Sequence, residues 1–237
     1  MSQVDIAPTI AKILSFPFEC EGKPIEPIVA YASDSRSVYL VIVDSLGFEE
    51  YLNYKRYLPY ISSMESQGLL LRCLSYSHLT TPSIATILCG LRPEVHRIMR
   101  TEDAYMRVIR CMPETAHEHG LRVAIVMEEY GALSFQGLVD AVEPIPDKPN
   151  ALSFDEEACR RAMNIAREID PDLMVVHFRS LDKLGFKPEP LNHLDSLLRS
   201  LSSLRRDLLM LVCGDHPPHY RTDENHVALV AFKPNVI

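Results

Sequence analysis

No apolar run in the sequence approaches about 18 residues, so nothing in it reads as a membrane span. The opening stretch, MSQVDIAPTIAKIL, has no basic segment ahead of an apolar stretch of signal length, so no secretory leader is expected. A basic surplus is also missing. The formal net charge is -8, which removes the electrostatic footprint of a protein that grips a nucleic-acid duplex. A phosphorylated small molecule or nucleotide stays possible as a partner, because bound metal ions can supply positive charge locally. The six cysteines, Cys20, Cys73, Cys89, Cys111, Cys159 and Cys213, include no CxxC pair. Several sit in apolar runs, such as Cys89 in IATILCG and Cys213 in LLMLVCG, which points to buried free thiols in a reducing compartment. The expected location is the cytoplasm, with no membrane partner. There is no internal repeat and no low-complexity tract.

What is present is an ordinary globular balance, 47% hydrophobic and 24% charged, over 237 residues, the size of one large α/β domain. Five short, continuous apolar runs read as buried strands: residues 37–44, 121–128, 172–178, 207–215 and 226–232. Amphipathic helical patterns lie between them at 58–67, 82–89, 113–120, 154–169 and 191–205. Such alternation predicts a three-layer α/β sandwich around a central, mostly parallel sheet. The proline-rich segment 141–153 reads as a surface loop, and 129–153 as a lid over a substrate. Residues 31–37 read as a linker. Before it, a short helix over 7–14 and a proline-punctuated tail are too little for a domain and must dock on the main body.

The candidate chemistry lies at strand ends. Asp44 closes YLVIVD, Asp182 follows MVVHF by a short loop, and Asp215 and His216 follow LLMLVCG. His226 precedes the last strand. In open parallel sheets the binding crevice forms beyond the carboxyl ends of the strands, so these residues can converge. Carboxylates and imidazoles gathered there suit zinc or manganese. Each residue alone also has a plainer role, as a helix cap, a turn former or a satisfied surface histidine. The segment SHLTTPSIATILCGLRPEVHRI adds a hydroxyl-rich turn before Pro82, in the first turn of a helix. Thr80 or Thr81 would stand at that N-terminus, where unpaired N–H groups and the helix dipole favour a phosphate. Beside a divalent cation such a hydroxyl becomes a nucleophile. A threonine cap is the plainer alternative.

Together these segments resemble the alkaline phosphatase superfamily, especially its nucleotide pyrophosphatase/phosphodiesterase branch. VIVDSLGF resembles the family's first metal-binding strand, which implies Asp44 as a ligand. LTTPSIATILCGLRPEVHRI resembles the nucleophile segment, and its register implies Thr80 as nucleophile and metal ligand, with Thr81 as fallback. CGDH implies Asp215 and His216 at the same metal as Asp44. SLDKLGF implies Asp182, and NHVALVAFKP implies His226, at a second metal. The resemblance thus implies a metal-dependent phosphoester hydrolase that holds one or two ions, zinc or manganese. Its substrate would be a phosphodiester or pyrophosphate. The sulfatase branch needs a cysteine or serine that is modified to formylglycine, which Thr80-Thr81-Pro82 does not offer.

The order of segments departs from the family. Residues 4–25 resemble what normally follows the late histidine and strand at the family's C-terminus. The resemblance therefore implies a circular permutation of one domain, 1–237, with 1–30 moved to the front and its helix packed near the strand 227–232. The second metal site also departs. Phe186 stands where the family has a ligating histidine, leaving Asp182 and His226, with His177, His193 or His219 as substitutes. A degenerate member that binds without turnover is the alternative reading.

Overall fold

The computed structural model describes residues 1–234. The strands are β1 (Ser37–Val43), β2 (Leu69–Leu74), β3 (Val123–Glu128), β4 (Ala141–Ile145), β5 (Leu173–Phe178), β6 (Leu208–Gly214) and β7 (His226–Phe232). Before β1 come helices α1 (Ile6–Ile13) and α2 (Glu26–Tyr31); between β1 and β2 come α3 (Phe48–Tyr54) and α4 (Pro59–Glu65). The stretch between β2 and β3 carries α5 (Thr80–Cys89), α6 (Pro93–His96), α7 (Thr101–Tyr105) and α8 (Met112–Glu118). Then follow α9 (Glu129–Leu133), α10 (Ala151–Ile169), α11 (Ser180–Leu184) and α12 (Pro188–Ser202).

Among the described residues the strands form one sheet in the order β2-β7-β6-β1-β5-β3-β4. The central pairings of β1 with β5 and β6 are parallel, and β7 runs antiparallel to both its neighbours. The five runs expected as strands all form strands, and the expected helices appear within a few residues of their bounds.

The side-chain alternation of the strands builds two cores. Val38, Leu40 and Ile42 of β1 face a cluster that includes Ile10 of α1, Ile87 of α5 and Met112 of α8. Tyr39, Val41 and Val43 face the opposite cluster, with Tyr51, Phe154 and Leu194 from the other helix layer. Burying both faces of a parallel sheet explains why these strands are apolar throughout rather than alternating.

Three expectations need correction. Segment 141–153 is not a loop: its first five residues are β4, and Asn150 caps α10, its side chain accepting from the Leu152 and Ser153 amides. Likewise 129–153 opens with α9 rather than a loop lid. The cysteines are not all free. Cys89, at the end of α5, is disulfide-bonded to Cys111, the N-cap of α8, where the end of one helix meets the start of the other. Cys73, Cys159 and Cys213 are buried free thiols, and Cys20 is half-buried. The disulfide removes the cysteine argument for a reducing compartment. Among the described residues no helix is long and apolar enough to cross a membrane.

Candidate active site

Parallel pairing of β1 with β6 brings their carboxyl ends side by side, and with them Asp44 and Asp215. The chain turns sharply after Asp44 through Ser45, whose φ is 66°. The Ser45 amide donates to Asp215 Oδ1 at 2.9 Å, and the His216 amide donates to the same oxygen at 2.7 Å. From the far side Gln3 donates to the carbonyls of Gly214 and Asp215, and Ser75 Oγ also donates to the Asp215 carbonyl. Sequence reasoning missed Gln3, Ser45 and Ser75. No local pattern marks them, because each acts across the fold.

Asp44, Asp215 and His216 form one compact, buried group of potential metal ligands. His216 Nε2 lies 3.3 Å from Asp44 Oδ1 and 3.6 Å from Asp215 Oδ2. Despite that proximity, neither Asp44 Oδ1 nor Asp215 Oδ2 has an aligned hydrogen-bond donor among the described residues. Burial and the neighbouring Asp44 carboxylate push the Asp215 pKa well above the usual range. Burial alone would lower the His216 pKa, but Asp44, Asp215 and the Pro217 carbonyl outweigh it and raise it to about 9. Two buried carboxylates, each with an oxygen that no donor meets, around one imidazole nitrogen fit a divalent cation, which would take the place of the proton on that nitrogen. The donor set, two carboxylates and an imidazole, suits zinc or manganese.

Thr80 joins this group. It opens α5, and its Oγ1 lies 3.3 Å from His216 Nε2. Thr81 points elsewhere, with its Oγ1 3.4 Å from the Thr101 hydroxyl.

A second group contains Asp182, His216 and His219. Asp182 Oδ1 accepts from Ser45 Oγ at 2.8 Å and lies 3.3 Å from His219 Nε2, while Lys183 Nζ sits 3.0 Å from Oδ2. The structure therefore brings His219 to Asp182, and it leaves His226 outside both groups. The His226 ring pairs instead with Glu224, which is bound to Arg72. Phe186 packs on Tyr54, with ring centroids 5.6 Å apart. His177 is buried beside the first group, its Nε2 has no hydrogen-bond partner among the described residues, and burial lowers its pKa to about 4. His193 in α12 keeps a buried Nε2 with no hydrogen-bond partner among the described residues. The two groups share His216. Its Nδ1 faces the Pro217 carbonyl at 2.8 Å, so it has one nitrogen free, and one nitrogen ligates one ion.

Comparison with solved structures identifies the fold as alkaline phosphatase-like. A phosphonoacetate hydrolase from Sinorhizobium meliloti 1021 in complex with phosphonoformate is 17% identical, with a TM-score of 0.65 over 78% of this chain and 57% of that one. A protein in the alkaline phosphatase superfamily from Vibrio parahaemolyticus is 11% identical, with a TM-score of 0.64 over 98% of this chain and 68% of that one. A putative sulfatase from Bacteroides thetaiotaomicron VPI-5482 is 9% identical, with a TM-score of 0.65 over 84% of this chain and 65% of that one. The chain thus spans little more than half the length of the hydrolase it resembles. No protein-family model matches the sequence, and no curated protein matches it.

Proposed function

We propose that the chain is a metal-dependent phosphoester hydrolase acting through Thr80, with a phosphodiester or nucleotide pyrophosphate as its substrate class. One observation carries this reading: the Thr80 hydroxyl, at a helix N-terminus, meets the same His216 nitrogen that faces Asp44 and Asp215. A divalent ion held by Asp44, Asp215 and His216 would supply Lewis acidity, lowering the pKa of a bound hydroxyl and offsetting charge on the phosphoryl oxygens. The first-turn amides of α5 receive a phosphoryl oxygen. Arg179 and Lys183 line the adjoining cavity and add positive charge beside Thr80. Thr80 Oγ1 bonds to phosphorus, the bond to the leaving oxygen breaks, and the departing alcohol (or phosphate, from a pyrophosphate) carries away the threonine proton. Water then displaces Thr80 from phosphorus and restores its hydroxyl. The likeness to structures of a phosphonoacetate hydrolase and a sulfatase supports hydrolysis of a phosphorus or sulfur oxyester or phosphonate as the general chemistry.

The test is hydrolysis of a chromogenic phosphodiester with added zinc or manganese, in the native chain and in Asp215→Asn. Turnover should require metal, stop with chelator, and fall by at least about 10³-fold in the variant. Metal-independent turnover, or a variant as active as the native chain, would refute the reading.

A second reading, binding without turnover, is favoured by the sharing of His216 between the two groups and by Phe186 standing where the resemblance expects a ligating histidine. It predicts zinc binding without hydrolysis in the same assay.

We also infer that residues 1–30 correspond to the family's C-terminal segment and that the single domain 1–237 is circularly permuted. In support, α1 shares the core cluster of Val227, Leu229 and Ala231, packing on α5 and α8, and Gln3 braces the backbone of Asp215.

A further inference from the structure

A cavity of about 270 Å³ opens from Asp44 and Thr80 and runs along one face of α5. Thr80, Ile84 and Leu88 line it at intervals of one helical turn, as do Thr81, Ala85 and Cys89. Thr80 and Cys89 lie nine positions apart in the helix, so this lined face is about 13 Å long. Ile98, Ala104, Met127 and Phe135 close the other walls. An apolar cavity of about 150 Å³ accommodates benzene, so this one has room for an organic group of that size or larger beyond a phosphoryl group at Thr80.

Polar and charged side chains also line it, among them Arg107, Glu128, Arg179 and Lys183. Arg107 lines the cavity, and its side chain is only 6% exposed. Its guanidinium pairs with Glu114, donates to the carbonyls of Ala104 and Ser134, and lies over the Phe135 ring. Its Nε, by contrast, has no hydrogen-bond partner among the described residues. That nitrogen is sealed from solvent and Glu114 balances the charge, so Arg107 closes the cavity as an already paired wall.

Resting on the phosphoester reading, we infer that the cavity holds the organic group of the ester, and that the part of this group lying along α5 is mainly apolar.

The test is calorimetric binding of non-hydrolysable phosphonates to the native, zinc-supplemented chain, so the readout does not depend on turnover. Phenylphosphonate should bind at least about tenfold more tightly than methylphosphonate, as burial of a few carbons in an apolar wall provides. Ala104→Phe, which fills the cavity from α7, should remove the advantage of phenyl over methyl. Equal affinity for phenyl- and methylphosphonate, or no binding of either, overturns the inference. The ranking without any diester hydrolysis would support this cavity assignment and refute only the hydrolase reading.

Discussion

His216 divides its two nitrogens between structure and chemistry. A carbonyl can only accept, so Nδ1 carries the proton shared with the Pro217 carbonyl, and Nε2 is left to face Asp44, Asp215 and Thr80. Asp155 supports the site less directly. Enclosed beside α11, its carboxylate accepts from the amides of Arg179 at 2.7 Å and Ser180 at 3.1 Å and so fixes the turn leading to Asp182. Burial raises its pKa to about 6 despite those bonds. Between about pH 4 and pH 6 the folded chain therefore keeps a proton that the unfolded chain has lost. The contribution of this group is fullest below pH 4 and falls as pH rises through 6, by up to about 3 kcal/mol. Asp155→Asn should flatten the decline of melting temperature over that window; equal slopes in the two proteins would contradict this. At this scale Asp44, Thr80, Asp215 and His216 were legible, because each ends a strongly patterned strand or opens a helix. His226 occupied the matching sequence position, but Glu224, two residues earlier, claims its ring. His219 reaches Asp182 only through the turn that follows β6, which spacing alone does not describe.

Among the elements, the junction of β6 with the loop after β1 is the tightest near the site. A Cβ on Gly214 would lie 2.2 Å from the Leu46 carbonyl oxygen and 2.9 Å from Val227 Cβ. Neither backbone nor packed strand can yield there, so Gly214→Ala should shift the Asp44 and Asp215 carboxylates apart. We expect a loss of roughly 1–3 kcal/mol in stability together with weaker zinc binding. Thermal melts and a zinc titration check this, and a variant unchanged in both would contradict it. The central strands were readable because burial on both faces leaves them apolar. β2 and β4 were not, and both are edge strands. LLLRCL is leucine-rich and fits a helix as well as a strand until β7 pairs with it. AVEPI carries Pro144, which an edge strand tolerates but which reads as a loop in sequence.

For the whole molecule, the N-terminal segment decides how the domain is completed. Ser2 bridges to Leu74, opposite His226 at the start of β7, whereas Lys233 follows the far end of β7 and donates to Tyr31. The two regions that the family order would join are thus separated by about the length of β7, roughly 20 Å. A chain in which residues 1–30 follow residue 237 through a linker of about ten residues can span that gap. It should fold and keep the zinc-induced rise in melting temperature; failure to fold would contradict the permutation. The docking of this segment was legible from its being too short to stand alone. Its contact with the Asp215 backbone was not, since Gln3 and Asp215 are far apart in the chain.

The central claim is that Thr80 attacks phosphorus. In the proposed reaction, an ion held through His216 in the first group would leave only Asp182 and the exposed His219 to orient water, so release of the phosphoryl group should be the slower half. Acid quench of the zinc-supplemented chain during turnover of an aryl phosphodiester, followed by peptide mass spectrometry, measures this directly. The account predicts a phosphoryl adduct on Thr80 that is absent from Thr80→Ala. Turnover with the adduct on Thr81, or turnover that survives in Thr80→Ala, would contradict it.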